Sequence, residues 1–136
     1  MKLVRYGKPG QEKPGLIDAE GKLRDLSAVV SDIGPDTLDD KTLKKLAKLK
    51  TDKLPVVKGK PRIGCPVSHV TQFIAIGLNY VDHAKELGNE VPTEPVIFMK
   101  PKSALLQPHT PFYYPEFTNE LHYECELVLR VCKNGK

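Results

Sequence analysis

The sequence predicts an α+β chain that is mostly β, with a small N-terminal α+β domain over residues 1–60 and a second domain over residues 61–136. Three observations predict it. Twelve prolines and ten glycines in 136 residues, with no tryptophan, favour turns and extended segments over a helical bundle. Only one long stretch keeps mostly helical leucine spacing, at Leu38, Leu43, Leu46 and Leu49. The remaining apolar runs are short, and they either alternate with polar residues or close on glycine or proline, as strands do.

Met1 to Tyr6 reads as the first strand. Gly15 to Leu26 reads as two more, folded at Asp18-Ala19-Glu20-Gly21, where Gly21 can take the positive φ that such turns often need. Thr37 to Leu49 reads as a helix with Asp36 or Thr37 as N-cap. Pro55, Pro61 and Pro66 then make an extended connector, and the domain boundary is placed there. Phe73 to Leu78 is a compact apolar run expected to form a buried strand. Asn79 to Leu87 forms a short helix stopped by Gly88. Pro95 to Pro101 is expected to be another buried strand, and Pro108, Pro111 and Pro115 hold an extended segment. His122 to Cys132 is the longest alternating run and is expected to be a strand.

Composition excludes several classes. No stretch approaches the roughly 18 apolar residues of a membrane span, and the opening Met1-Lys2-Leu3-Val4-Arg5-Tyr6 turns polar too early for a signal peptide. Cys65, Cys125 and Cys132 are odd in number and lack metal-ligand spacing, so reduced thiols in a cytoplasmic protein are expected. The net charge of +4 comes largely from Lys41, Lys44, Lys45, Lys48, Lys50, Lys53, Lys58 and Lys60. No aromatics are interleaved with them to stack on bases, so a solvated helix face is the expectation and no nucleic-acid partner is assigned.

Three groups of residues could carry chemistry. On an alternating strand, Glu124 and Glu126 project to one side, roughly 7 Å apart, while Tyr123, Cys125, Leu127, Leu129 and Val131 form a core stripe. Paired carboxylates suit a hard cation such as Mg²⁺, Mn²⁺ or Ca²⁺, though Glu-x-Glu is also common on plain solvent faces. On a helix, His83 and Glu86 are i,i+3 neighbours. A carboxylate beside an imidazole fixes its tautomer and raises its basicity, as a water-activating base requires, but an incidental surface pair has the same spacing. Lys100 leaves an apolar strand just before Pro101, where it can meet an anionic group or simply reach for solvent. The cysteines read as structural, and His69 and His109 carry no signal.

Together these pieces are more specific. Ile76-Gly77-Leu78-Asn79-Tyr80-Val81-Asp82-His83-Ala84-Lys85-Glu86, then Glu94 to Ala104, then His122-Tyr123-Glu124-Cys125-Glu126-Leu127 resembles the fumarylacetoacetate hydrolase family. The nearest likeness is to its acylpyruvate hydrolase and hydroxyheptadienedioate isomerase branch, which serves aromatic compound catabolism. The resemblance runs from about Pro61 to the end. It implies a mixed β-roll or sandwich core, usually dimeric, after a small N-terminal domain. It also implies roles. Glu124 and Glu126 match two carboxylates that hold Mg²⁺ or Mn²⁺. His83 and Glu86 match the dyad on a lid helix that activates water, expected to be short and exposed. Lys100 matches the lysine that binds the substrate's carboxylate and keto-enol oxygens, and Gly77, Asn79 and Tyr80 belong to the same signature.

The expected function is therefore metal-dependent C–C cleavage of an acylpyruvate-like 1,3-dicarbonyl or 2-oxo acid, or an isomerase or decarboxylase reaction through the same metal-bound enolate. A homodimer is expected at full length, with no membrane partner. One departure stands out: the family's third metal carboxylate is an aspartate about one hairpin beyond Glu126, and no Asp or Glu follows Glu126 here. The chain is accordingly expected to be an N-terminal portion with little activity of its own. The alternative is a non-catalytic fold fragment or an assembly module.

Overall fold

The computed structural model describes residues 1–131. The chain divides into two compact units, Met1–Ser68 with the chain from Gln107 onward, and His69–Leu106.

In the first unit, strands β1 (Lys2–Tyr6), β2 (Lys13–Ile17) and β3 (Leu23–Asp25) form an antiparallel sheet in the order β1-β2-β3. The β2–β3 turn is built as the sequence implies. Asp18 accepts from the backbone N–H of Glu20 and Lys22 at 3.0 and 2.8 Å, and Gly21 sits at φ +78°. Leu3 lies opposite Leu16, and this face of the sheet contributes to a core of Leu16, Leu26 and Leu46, flanked by Leu3, Val29, Val30, Leu49 and Leu54.

Leu46 comes from helix α1 (Asp40–Ala47), which starts later than the leucine spacing implies. Its N-cap is Asp39, whose carboxylate accepts from Lys41 and Thr42 N–H at 2.8 and 3.0 Å, and not Asp36 or Thr37. Thr37 is committed elsewhere: its N–H donates to the Gly34 carbonyl and its hydroxyl to the Asp32 carbonyl.

The proline connector is joined to the sheet. Pro55 to Val57 runs along β3, with Asp25 N–H donating to the Pro55 carbonyl and Val57 N–H to the Leu23 carbonyl, both at 2.9 Å. Arg62 to Gly64 runs along β1, through Gly7 N–H to the Arg62 carbonyl at 2.9 Å and Gly64 N–H to the Arg5 carbonyl at 2.8 Å. Both edges of the sheet are thus occupied, which protects them from pairing with other chains.

The second unit contains β4 (Phe73–Gly77), α2 (Val81–Glu86) and β5 (Val96–Lys100). β4 and β5 pair antiparallel, with Phe73 opposite Lys100, Ala75 opposite Phe98 and Gly77 opposite Val96. Both strands form where the sequence implies, but neither is buried as expected. All of β5 is exposed, and in β4 Ile74 and Ile76 are exposed. An apolar run signals burial only if layers cover both faces, and this ribbon's Ile74, Ile76, Ile97 and Met99 face is open.

The largest correction concerns residues 122–131. No strand forms there, and the intended core stripe is open: Tyr123 is 94% exposed and Leu129 80%. Cys125 is exposed and not turned into a core. Alternation specifies one face of a strand but supplies no neighbouring strand, and residues 122–131 join no sheet ladder among the described residues. Cys132 lies outside the described residues.

Candidate functional site

Helix α2 carries the candidate dyad. It is entered through Leu78, a leucine at φ +48°, in the left-handed region that side chains other than glycine rarely adopt. Such a position between a strand and a helix fixes the direction of entry, and strained backbone of this kind concentrates at functional sites. Tyr80 is the N-cap residue, without a side-chain capping bond. The helix ends on a Schellman motif: Gly88 N–H donates to the Lys85 carbonyl at 3.0 Å and Asn89 N–H to the Ala84 carbonyl at 2.8 Å, with Gly88 at φ +66°.

Between these ends only Ala84 is fully buried, and it anchors the helix while His83 is half-buried and Glu86 exposed. The i,i+3 spacing brings His83 Nδ1 to 3.6 Å from Glu86 Oε2. That distance lies just beyond a hydrogen bond and within ion-pair reach, so closure by a few tenths of an ångström converts one into the other. The carboxylate faces Nδ1 of the ring. The expected short, exposed helix is present, with the two side chains together.

Asn79 lines a shallow cleft of about 230 Å³ with Gly77, Leu78 and the Val91–Pro95 loop. Tyr80, next to it in sequence, is half-exposed and lies at the helix entrance. Lys100 ends β5, and its Nζ lies 5.9 Å from the ring centroids of both Phe73 and Phe98. Reading residue by residue passes over these two rings. Their signal is i,i+2 spacing for Phe98 and a cross-strand register for Phe73 that only the hairpin reveals.

Glu124 and Glu126 belong to the other unit and are exposed. Two carboxylates are the right donor chemistry for a hard cation. Among the described residues, however, no group of three His, Cys, Asp or Glu side chains comes together to hold a metal. Cys65 and Cys125 are free thiols. No helix is long and apolar enough to cross a membrane among the described residues.

Comparison with known proteins adds to this geometry. Residues 72–136 match the family described as "Fumarylacetoacetate (FAA) hydrolase C-terminal". A protein of Burkholderia multivorans and one of Burkholderia cenocepacia, each named "Putative hydrolase", are 50% identical to this chain over 127 residues, as is a third from Burkholderia lata. The match takes in 93% of this chain but 45% of each relative, so the chain spans somewhat less than half their length. Residues 72–136 are thus similar to the fumarylacetoacetate hydrolase C-terminal family, in a chain whose matched relatives carry the name hydrolase.

Proposed function

We propose that this chain carries the water-activating dyad and two metal-binding carboxylates of a metal-dependent hydrolase that cleaves a C–C bond in acylpyruvate-like 1,3-dicarbonyl acids. One observation carries the reading: within the family-matched segment, His83 and Glu86 meet at 3.6 Å on an exposed helix. In this role Glu86 holds Nδ1 and stabilises the imidazolium, while Nε2 takes a proton from water as it attacks the carbonyl. Lys100 meets the substrate's carboxylate and keto-enol oxygens, and Asn79 and Tyr80 complete the substrate's surroundings. Glu124 and Glu126 would hold Mg²⁺ or Mn²⁺, with Ca²⁺ a further candidate on donor chemistry. When bound, the ion supplies electrostatic stabilisation for the developing enolate.

Isomerisation and decarboxylation need the same stabilisation, and the relatives' names favour hydrolysis among the three. The working protein would be a cytoplasmic homodimer. Two carboxylates alone leave an ion loosely placed, and a displacement of about 1 Å can cost a hundredfold in rate. Residues 1–136 alone should therefore turn over acetopyruvate little, if at all.

Mn²⁺ titration of the chain, followed by water-proton relaxation, tests the metal assignment. Weak binding that disappears in the Glu124→Gln, Glu126→Gln double variant is expected. Equal Mn²⁺ binding by that variant would remove these carboxylates from the metal site.

A further inference from the structure

We infer that Phe73 and Phe98 are positioning residues for Lys100, holding its ammonium by cation–π contact in a place where it stays available to an anion. The inference deepens the reading of Lys100 as a substrate-binding residue and rests on it.

The arrangement follows from the ribbon. Phe98 and Lys100 are two apart on β5 and share a face. Phe73 stands opposite Lys100 across the ladder, so all three side chains rise from one side of the hairpin. Nζ lies 5.9 Å from each ring centroid, within the range over which a ring's quadrupole attracts a cation. A lysine stem has many rotamers, and an exposed ammonium at a strand end would sample most of them. Two rings restrict it to one region.

The choice of partner matters chemically. A carboxylate could also hold the lysine, but it would neutralise the charge and occupy its donors. An aromatic face does neither. Lys100 forms no ion pair among the described residues, so its charge is oriented without being compensated. The ligand such a group takes is a small carboxylate or enolate lying flat enough to sit beside the rings.

The test uses the 136-residue chain labelled with ¹³C-lysine, with sodium oxalate as the probe. The Lys100 ε-CH₂ protons should be shifted upfield by ring currents and should move on oxalate addition. Lys100→Met should abolish the oxalate response. Phe73→Leu and Phe98→Leu should each remove part of the ring-current shift and weaken oxalate binding by about two- to fivefold. Phe98→Tyr should restore both, which a merely structural role in the ribbon would not require. A Lys100 resonance without ring-current shift in the parent chain overturns the inference. So do leucine variants that keep the ribbon's cross-strand backbone contacts at Ala75 and bind oxalate as the parent does. A ring-current shift with no oxalate response fails differently. It overturns the anion-binding role of Lys100, and the positioning role falls with it.

Discussion

Residues 1–68 and residues 69–106 are built from the same kind of material, short antiparallel strands and one helix, and they use it differently. In the first, Leu16, Leu26 and Leu46 close a core, and the connector occupies both sheet edges. Its arginines are paired: Arg5 with Asp32 at 2.7 Å, Arg24 with Asp18 at 2.7 Å, and Arg62 with Glu12 at 3.0 Å. In the second, the ribbon keeps Ile74, Ile97 and Met99 exposed, and its one lysine on β5 is held by rings instead of a carboxylate. The difference separates two demands. Stability comes from apolar burial and satisfied charge, whereas a site needs groups that are oriented and still open to a ligand.

That contrast can be broken by mutation. Leu26 is fully buried, and Leu26→Ala should cost about 2–5 kcal/mol in denaturant unfolding. Ile97, 65% exposed on the ribbon, should lose no more than about 0.5 kcal/mol on the same change. Comparable losses at both positions would show that the ribbon is buried in solution.

Gly15→Ala is expected to cost about 1–3 kcal/mol. A Cβ there would stand 2.8 Å from Leu23 Cδ1 and 2.9 Å from the Tyr6 ring, in the middle of β2. A neutral outcome in thermal melts would mean that Tyr6 and Leu23 have room to move apart.

Acid should act on the first unit selectively. Burial pushes the Asp18 carboxyl up, but the hydrogen bonds from the Arg24 side chain and from the Lys22 and Glu20 N–H groups outweigh it and hold the group below its usual value. Glu12, beside Arg62 and Arg5, and Asp32, beside Arg5, are likewise desolvated and likewise end lowered. A carboxyl depressed on folding stabilises the native state above its unfolded pKa, and the contribution is lost as pH falls through the folded one. Unfolding midpoints should therefore hold above about pH 5 and fall below about pH 4. Asp18→Asn should flatten that acid limb, and an unchanged limb would discount the Arg24 pair.

A local effect is expected at the end of α2. Gly88→Ala forces an alanine to φ +66° and should cost about 1 kcal/mol, read as faster amide exchange in residues 81–88 with the first unit unaffected.

How much of this was legible in the sequence depended on whether the signal was local. The Asp18–Gly21 turn, the Gly88 stop and the His83–Glu86 spacing are decided within a few residues, and all three are in place. The helix cap lies two to three residues beyond the expected Asp36 or Thr37, with Thr37 claimed by the Asp32 carbonyl, a competition that spacing does not encode. Burial of β4 and β5 was misjudged because apolar character reports what a residue tolerates and not what covers it. The same holds for residues 122–131, where alternation was clear and the ladder is absent. The rings beside Lys100 needed the β4–β5 register before they could be seen together.

The most direct test of the proposed function joins this chain to the remaining part of the Burkholderia multivorans relative, at the end of the aligned region. Turnover of acetopyruvate is followed by loss of its enol absorbance, with Mg²⁺ or Mn²⁺ and after chelation. The account predicts turnover that chelation abolishes, that Glu124→Gln, Glu126→Gln removes, and that His83→Ala lowers by about a hundredfold or more while Mn²⁺ binding persists. Turnover that is insensitive to chelation, or unchanged in the His83→Ala fusion, would contradict it.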